Sequence, residues 1–166
     1  HGASPWLLTA DHAGQAIPRA LGDLGLPPGE IDRHIGWDIG IAGVARELAA
    51  LLDAWTILQA YSRLVIDCNR PLASPTLMPA VSDGTVIAAN AGLDDDQRQA
   101  RIDAIHAPYH AAIAAELDRR AESTGDVRVV KLQHASAEQL LPVLQQLIGH
   151  FHLHIGREAF QCCCYF

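Results

Sequence analysis

The sequence predicts an α/β fold, a mainly parallel or mixed sheet flanked by helices, and three observations predict it. Short apolar runs of strand length alternate with longer stretches of helical periodicity. Two of the short runs, residues 6–10 (WLLTA) and 64–68 (LVIDC), read as buried strands rather than half-exposed ones. With 49% hydrophobic and 19% charged residues in 166, the chain has material for one buried core and is not a disordered sequence.

The elements follow in order. Residues 6–10 form a strand that ends at Asp11-His12. DIGIAGVARELAALLDAW, from Asp38 on, is an amphipathic helix with Ile41, Val44, Ala45, Leu48, Leu51 and Leu52 on its apolar stripe and Asp38 at the N-cap position. Residues 56–60 and 64–68 are strands, and 69–90, rich in Pro, Ser and small residues, is a long loop of the kind that is usually functional or disordered. A second helix runs from Asp94 or Asp95 to Arg120 with a break near Pro108, and its stripe includes Ile102, Ile105, Ile113 and Leu117. A turn at 124–126 and a strand at 127–132 come next. Ser136 and Gln139 suggest a capping box for a third helix, and HFHLHI at 150–155 alternates as a last strand would. No internal repeat is visible.

Composition excludes some functions. Twelve Lys+Arg against 19 Asp+Glu leave a net charge of -7, which opposes non-specific nucleic-acid binding. No apolar run approaches the roughly 18 residues that span a bilayer, and no basic segment with an apolar stretch marks a secretory signal. Cys68 stands alone and Cys162, Cys163 and Cys164 are adjacent, without CxxC spacing, so neither a disulfide framework nor a zinc knuckle is indicated and a reducing cytoplasm is expected. The chain starts at His1 rather than Met, which suggests a fragment or a processed chain. A homo-oligomer is among the open options.

In α/β sheets, ligands bind beyond the carboxyl ends of the strands. Asp11-His12-Ala13-Gly14 lies at such an end, where it either binds or merely turns the chain. RHIGWDIG supplies His34 and Asp38, the latter a plain N-cap or half of an imidazole–carboxylate ligand set of the type that holds catalytic zinc. YSRLVIDCNRP places Arg63, Asp67, Asn69 and Arg70 around an apolar run. The arginines there are either partners of Asp67 or a grip for a substrate carboxylate.

Five segments occur in sequence: LLTADHAGQAIPRALGDLGL, RHIGWDIGIAGVARELAALLDA, YSRLVIDCNRP, SDGTVIAAN and RIDAIHAPYHAAIAAELD. Together they closely resemble the N-formylglutamate amidohydrolase family over about residues 6–120. The family is similar in fold to zinc carboxypeptidases, within the zinc-exopeptidase and phosphorylase-hydrolase class. The resemblance implies a zinc-dependent hydrolase whose partner is a small N-acyl amino acid, with no nucleic acid and no membrane. It implies that His12 and Asp38 bind the metal, that Asn69 and Arg70 hold a substrate carboxylate, and that Arg63 polarises the scissile carbonyl. His34 enters as a catalytic candidate. Asp67 is a carboxylate that orients a ligand, and His106 and His110 are either site residues or ordinary helix histidines.

The pattern changes after the second helix. The family continues with a strand and a His-Ser-Phe-Thr-Pro motif whose histidine completes the metal site. Here VRVVKLQHASAEQL puts His134 at that register, followed by Ala135-Ser136. The same stretch, over about 22 residues, resembles a strand–helix unit of secretin N-domains, in which His134 is a loop residue and the unit serves assembly. The tail HFHLHIGREAFQCCCYF matches neither, although His150, His152 and His154 would share one face of a strand and could hold a metal. These departures divide the chain into an amidohydrolase-like α/β region, 1–126, and a strand-helix-strand segment of uncertain origin, 127–166. They also suggest either a truncated hydrolase domain with its general base unidentified, or a truncated or chimeric non-catalytic domain whose secretin-like unit serves assembly.

Overall fold

The computed structural model describes residues 4–124 and 128–132, which fall within a single unit of the chain, His1–Gln133. Among the described residues, three parallel strands form the main sheet in the order β2-β1-β5, with β1 Trp6–Ala10, β2 Trp55–Leu58 and β5 Arg128–Leu132. The register runs Leu7↔Trp55 to Ala10↔Leu58 on one side and Trp6↔Arg128 to Ala10↔Leu132 on the other. Central placement explains the composition of β1. Successive side chains of a strand point to opposite faces, so the full burial of Leu7 and Leu8, with Ala10, shows that β1 is covered on both. The sheet therefore crosses the expected boundary at 126/127, since β5 comes from beyond it.

The helix α1, Ile41–Leu52, joins β1 to β2 in the usual parallel crossover and packs on both strands with Ile41, Ala42, Ala45 and Leu48 inward. Its N-cap falls two residues later than expected. Gly40, at φ 88°, occupies the N-cap, and no side chain caps the helix. Asp38 is turned toward His12 and Arg63 instead, which overturns its reading as an N-cap.

The segment 64–68 also differs from expectation. It is buried, with Leu64, Val65, Ile66 and Cys68 all at 2% exposure or less, but it is a chain of turns and not a strand. Many of its backbone groups are paired without a ladder. Val65 N–H donates to Ser62 O and Asp67 N–H to Leu77 O, while Leu64 O accepts from Asn90 Nδ2 and Val65 O from Arg101 Nη1. Buried backbone must be paired, and side chains of two later elements do the pairing here. A short apolar run has no periodicity that separates these two outcomes.

The 69–90 region is largely loop, as expected, with a small antiparallel hairpin of β3 Val81–Ser82 and β4 Thr85–Val86. The second helical stretch divides into α2 Asp95–Arg101, a π turn Ile102–His106 and α3 Ala107–Thr124. Asp94 caps α2 by accepting from Gln97 N–H, and Gln97 returns the bond in a capping box. The expected break near Pro108 is this π turn. Proline lacks the N–H that an α ladder needs, and the wider turn just before it lets the helix continue. The core gathers Leu24, Ile35, Leu77, Ile87, Ile105 and Tyr109 around 64–68. The expected turn at 124–126, the helix after Ser136, the strand at 150–155 and the Cys162–Cys164 run lie wholly or mostly outside the described residues. Among the described residues, no helix is long and apolar enough to cross a membrane.

Candidate active site

Three segments are stitched together beyond the carboxyl end of β1. Asp38 N–H donates to His12 O at 2.9 Å, Arg63 N–H to Gly36 O at 3.1 Å and Ser62 Oγ to the same oxygen at 2.7 Å. Glycine is required where they meet. A Cβ on Gly36 would lie 2.2 Å from Ile31 O, and one on Gly14 would lie 2.1 Å from Ala60 O.

The side chains brought together form a charged network that is almost wholly buried. His12 Nε2–H donates to Asp67 Oδ1 at 2.6 Å, and His12 Nδ1 lies 3.5 Å from Asp38 Oδ2. Arg63 spans the two carboxylates, with Nη1 3.4 Å from Asp38 Oδ1 and Nη2 3.2 Å from Asp67 Oδ2. Arg70 Nε approaches Asp67 Oδ2 at 3.7 Å, and Asn69 N–H donates to Asp67 Oδ1 at 2.9 Å. His12, Asp38 and Asp67 are at most 4% exposed, whereas Arg70 is exposed and Asn69 half-buried. Burial disfavours the His12 imidazolium, yet Asp38 and Asp67 outweigh it and raise the His12 pKa. Burial likewise opposes the Asp67 carboxylate, but His12, Arg63 and the Asn69 N–H hold its pKa below the ordinary value.

The donor set fits a metal in part. The 3.5 Å between His12 Nδ1 and Asp38 Oδ2 is long for a hydrogen bond. It is close to the separation, about 3.3–3.4 Å, of two ligands that each sit about 2.0–2.1 Å from one tetrahedral zinc. Asp67 on the other ring nitrogen is the carboxylate that commonly orients such a histidine. Among the described residues, no group of three or more His, Cys, Asp or Glu side chains is arranged to hold a metal. A metal here would need a third ligand from elsewhere, and His134 lies outside the described residues.

His34 is not brought to this network. It is exposed and its Nε2 lies 3.6 Å from Asp83 Oδ2, in a surface cluster with Arg33, Glu30 and Thr85. The histidines of α3 and the π turn do reach the site, through its backbone. His110 Nε2 bonds Cys68 O at 3.0 Å and His106 Nε2 bonds Arg70 O at 3.3 Å, with their rings 4.4 Å apart.

Two residues not singled out from sequence complete the surroundings, and Asp11, first read as part of a turn or a binding end, proves to be their hub. Asp11 is buried, and its Oδ1 accepts from Tyr109 OH at 2.8 Å while its Oδ2 lies 2.6 Å from Lys131 Nζ. Lys131 was legible only as the one cation inside the apolar run VVKL, and Tyr109 only as the neighbour of His110 in the HAPYH segment.

Beyond the strand ends of a parallel α/β sheet, the fold thus gathers a buried carboxylate–imidazole–guanidinium network. The sequence profile of the N-formylglutamate amidohydrolase family matches residues 4–153, and the chain belongs to that family. The match runs through the stretch that resembles a secretin unit. The chain is also similar to a gene product of Agrobacterium tumefaciens known from its crystal structure, with 37% identity and a TM-score of 0.74. That similarity covers 78% of this chain and 52% of the other, so the chain spans about half the length of this relative. No curated protein matches it.

Proposed function

We propose that the protein hydrolyses the amide bond of an N-formyl or other N-acyl amino acid, N-formylglutamate in the simplest case. The observation that carries this reading is the convergence of His12, Asp38, Asp67 and Arg63 beside Asn69 and Arg70. In this reading His12, Asp38 and His134 hold zinc, which when bound supplies an activated water and polarises the carbonyl. Asp67 fixes the His12 ring so that Nδ1 serves the metal. Asn69 and the exposed Arg70 anchor the substrate carboxylate, for which the guanidinium fork is suited. Arg63 stabilises the charge that develops on the carbonyl oxygen, a contribution of about 2.7–4 kcal/mol for one such donor. Its attachment to Asp38 and Asp67 keeps it oriented in advance of reaction. His34 has no part in this reading.

Formate release from N-formyl-L-glutamate, with zinc per chain by elemental analysis, tests it. Wild type should turn over and hold about one zinc per chain. Asp38→Asn and His134→Ala should each lose the metal and the activity, and Arg70→Ala should raise KM with zinc retained. Absence of zinc from wild type, together with unchanged hydrolysis in Arg70→Ala, would sink the reading.

A further inference from the structure

We propose that Lys131 is a positioning residue that orients the Asn69 side chain for recognition of the substrate carboxylate. The inference rests on the reading of Asn69 given above. Lys131 Nζ lies 2.8 Å from Asn69 Oδ1 and 2.6 Å from Asp11 Oδ2. An ammonium donates only, so the Asn69 atom it holds must be the carbonyl oxygen. That choice fixes the amide, and the NH2 end is the one turned away from Lys131. An asparagine without such a partner interconverts between two nearly isosteric orientations. In the wrong one it offers a carbonyl oxygen to an anion.

The ammonium is itself anchored. Parallel pairing of β5 with β1 sets Lys131 beside Thr9, two residues before Asp11. Asp11 is 3% exposed, and Tyr109 OH holds its other oxygen. The Lys131 side chain is 40% exposed, so Asp11 is what restricts it. The pairing also compensates a buried carboxylate beside a site that receives anions. The backbone is held as well: His110 bonds Cys68 O and His106 bonds Arg70 O, either side of Asn69. Three successive residues are thus tied by donors from three other places in the chain, and Lys131 is the one that sets a side chain.

The test is affinity for N-formyl-L-glutamate in the full-length chain, as KM where it turns over and as Kd by calorimetry where it does not. Lys131→Met should weaken affinity about tenfold, the effect expected when a hydrogen bond to a charged group is lost, with kcat within threefold. Lys131→Arg should restore most of it. The decisive comparison is a double-mutant cycle. In an Asn69→Ala background, Lys131→Met should cost less than twofold, because no amide remains to be oriented. Because Lys131→Met alone could leave Asp11 uncompensated and unfold the chain, Asp11→Asn/Lys131→Met is made alongside and should show the same loss of affinity. Equal costs in the presence and absence of Asn69 would overturn the positioning role, as would full affinity in the double variant. Loss of affinity in Asn69→Ala without loss in Lys131→Met would overturn Lys131 alone. No loss in Asn69→Ala would overturn the carboxylate reading and the Lys131 role together.

Discussion

Arg63 shows how one side chain can both stabilise the fold and prepare a site. It bridges two carboxylates that are nearly sealed from solvent, while its own side chain remains 26% exposed. Removing it leaves Asp38 and Asp67 with less compensating charge. Arg63→Met should lower stability in urea by about 2–3 kcal/mol, short of the 3–5 kcal/mol typical when a fully enclosed pair is broken. Unchanged stability would mean that His12 and the other partners of the two acids suffice to balance them. Cys68 is the contrasting case. Burial pushes its thiol pKa up to about 11, with Gln59 Nε2 donating to Sγ at 3.2 Å. The native thiol should therefore resist iodoacetamide at pH 8 and react only when the chain unfolds. Peptide mapping separates it from Cys162–Cys164.

At the scale of elements, α3 is fastened to the start of β1 by charge. Arg120 donates to Ser4 O and Trp6 O and also bonds Glu116 Oε1, while Arg119 bonds both Glu116 oxygens. The bonds from Arg119, then those of Arg120, hold the Glu116 pKa at about 2, against an ordinary value of 4.5. A depressed carboxylate pKa contributes stability that is fully present above the ordinary value and is lost as pH falls through the depressed one. The window is therefore about pH 4.5 down to 2. Glu116→Gln should lower Tm by a constant amount between pH 6 and 8 and flatten its fall across the acid range. An identical slope in both proteins would show that the Glu116 cluster does not couple to folding. The capping box at α2 belongs to this scale too. Asp94→Ala should cost about 1 kcal/mol in urea.

These elements also show what could be read from the sequence. The periodicity of α1 and the apolar continuity of β1 were legible because each is a local pattern. Asp38 was ambiguous because a carboxylate before a helix suits an N-cap and a site equally well, and only the approach of His12 decides. The segment 64–68 misled for the opposite reason: its burial was evident, but its hydrogen bonds come from Asn90 and Arg101, more than 20 residues on. Within the candidate site, the resemblance pointed to His12, Asp38, Arg63, Asn69 and Arg70. It gave no hint of the Asp11–Tyr109–Lys131 group, which exists only once β5 and α3 are folded against the end of β1.

For the molecule as a whole, the site depends on how closely the loop after β1 approaches the one after β2. Ala16 N–H donates to Ala60 O and Ser62 N–H to Ala16 O, and Gly14 sits where a Cβ would fall 2.1 Å from that same Ala60 oxygen. The contact is backbone, so it cannot be relieved by moving a flexible side chain. Gly14→Ala should force the loops apart, costing about 1–3 kcal/mol as overpacking does. Because Ala13-Gly14 follows His12 directly, the same displacement should weaken the His12–Asp67 contact and with it substrate affinity. Gly43, inside α1 with nothing within 4 Å of an added Cβ, provides the comparison. Gly43→Ala should be stabilising by about 0.5–1 kcal/mol through helix propensity, with affinity unchanged. Urea unfolding and N-formyl-L-glutamate affinity, measured on both variants, separate a general intolerance of added bulk from a specific need for close approach at the strand ends. If Gly14→Ala proved as benign as Gly43→Ala, the seam between the two loops could not be what holds the site in register.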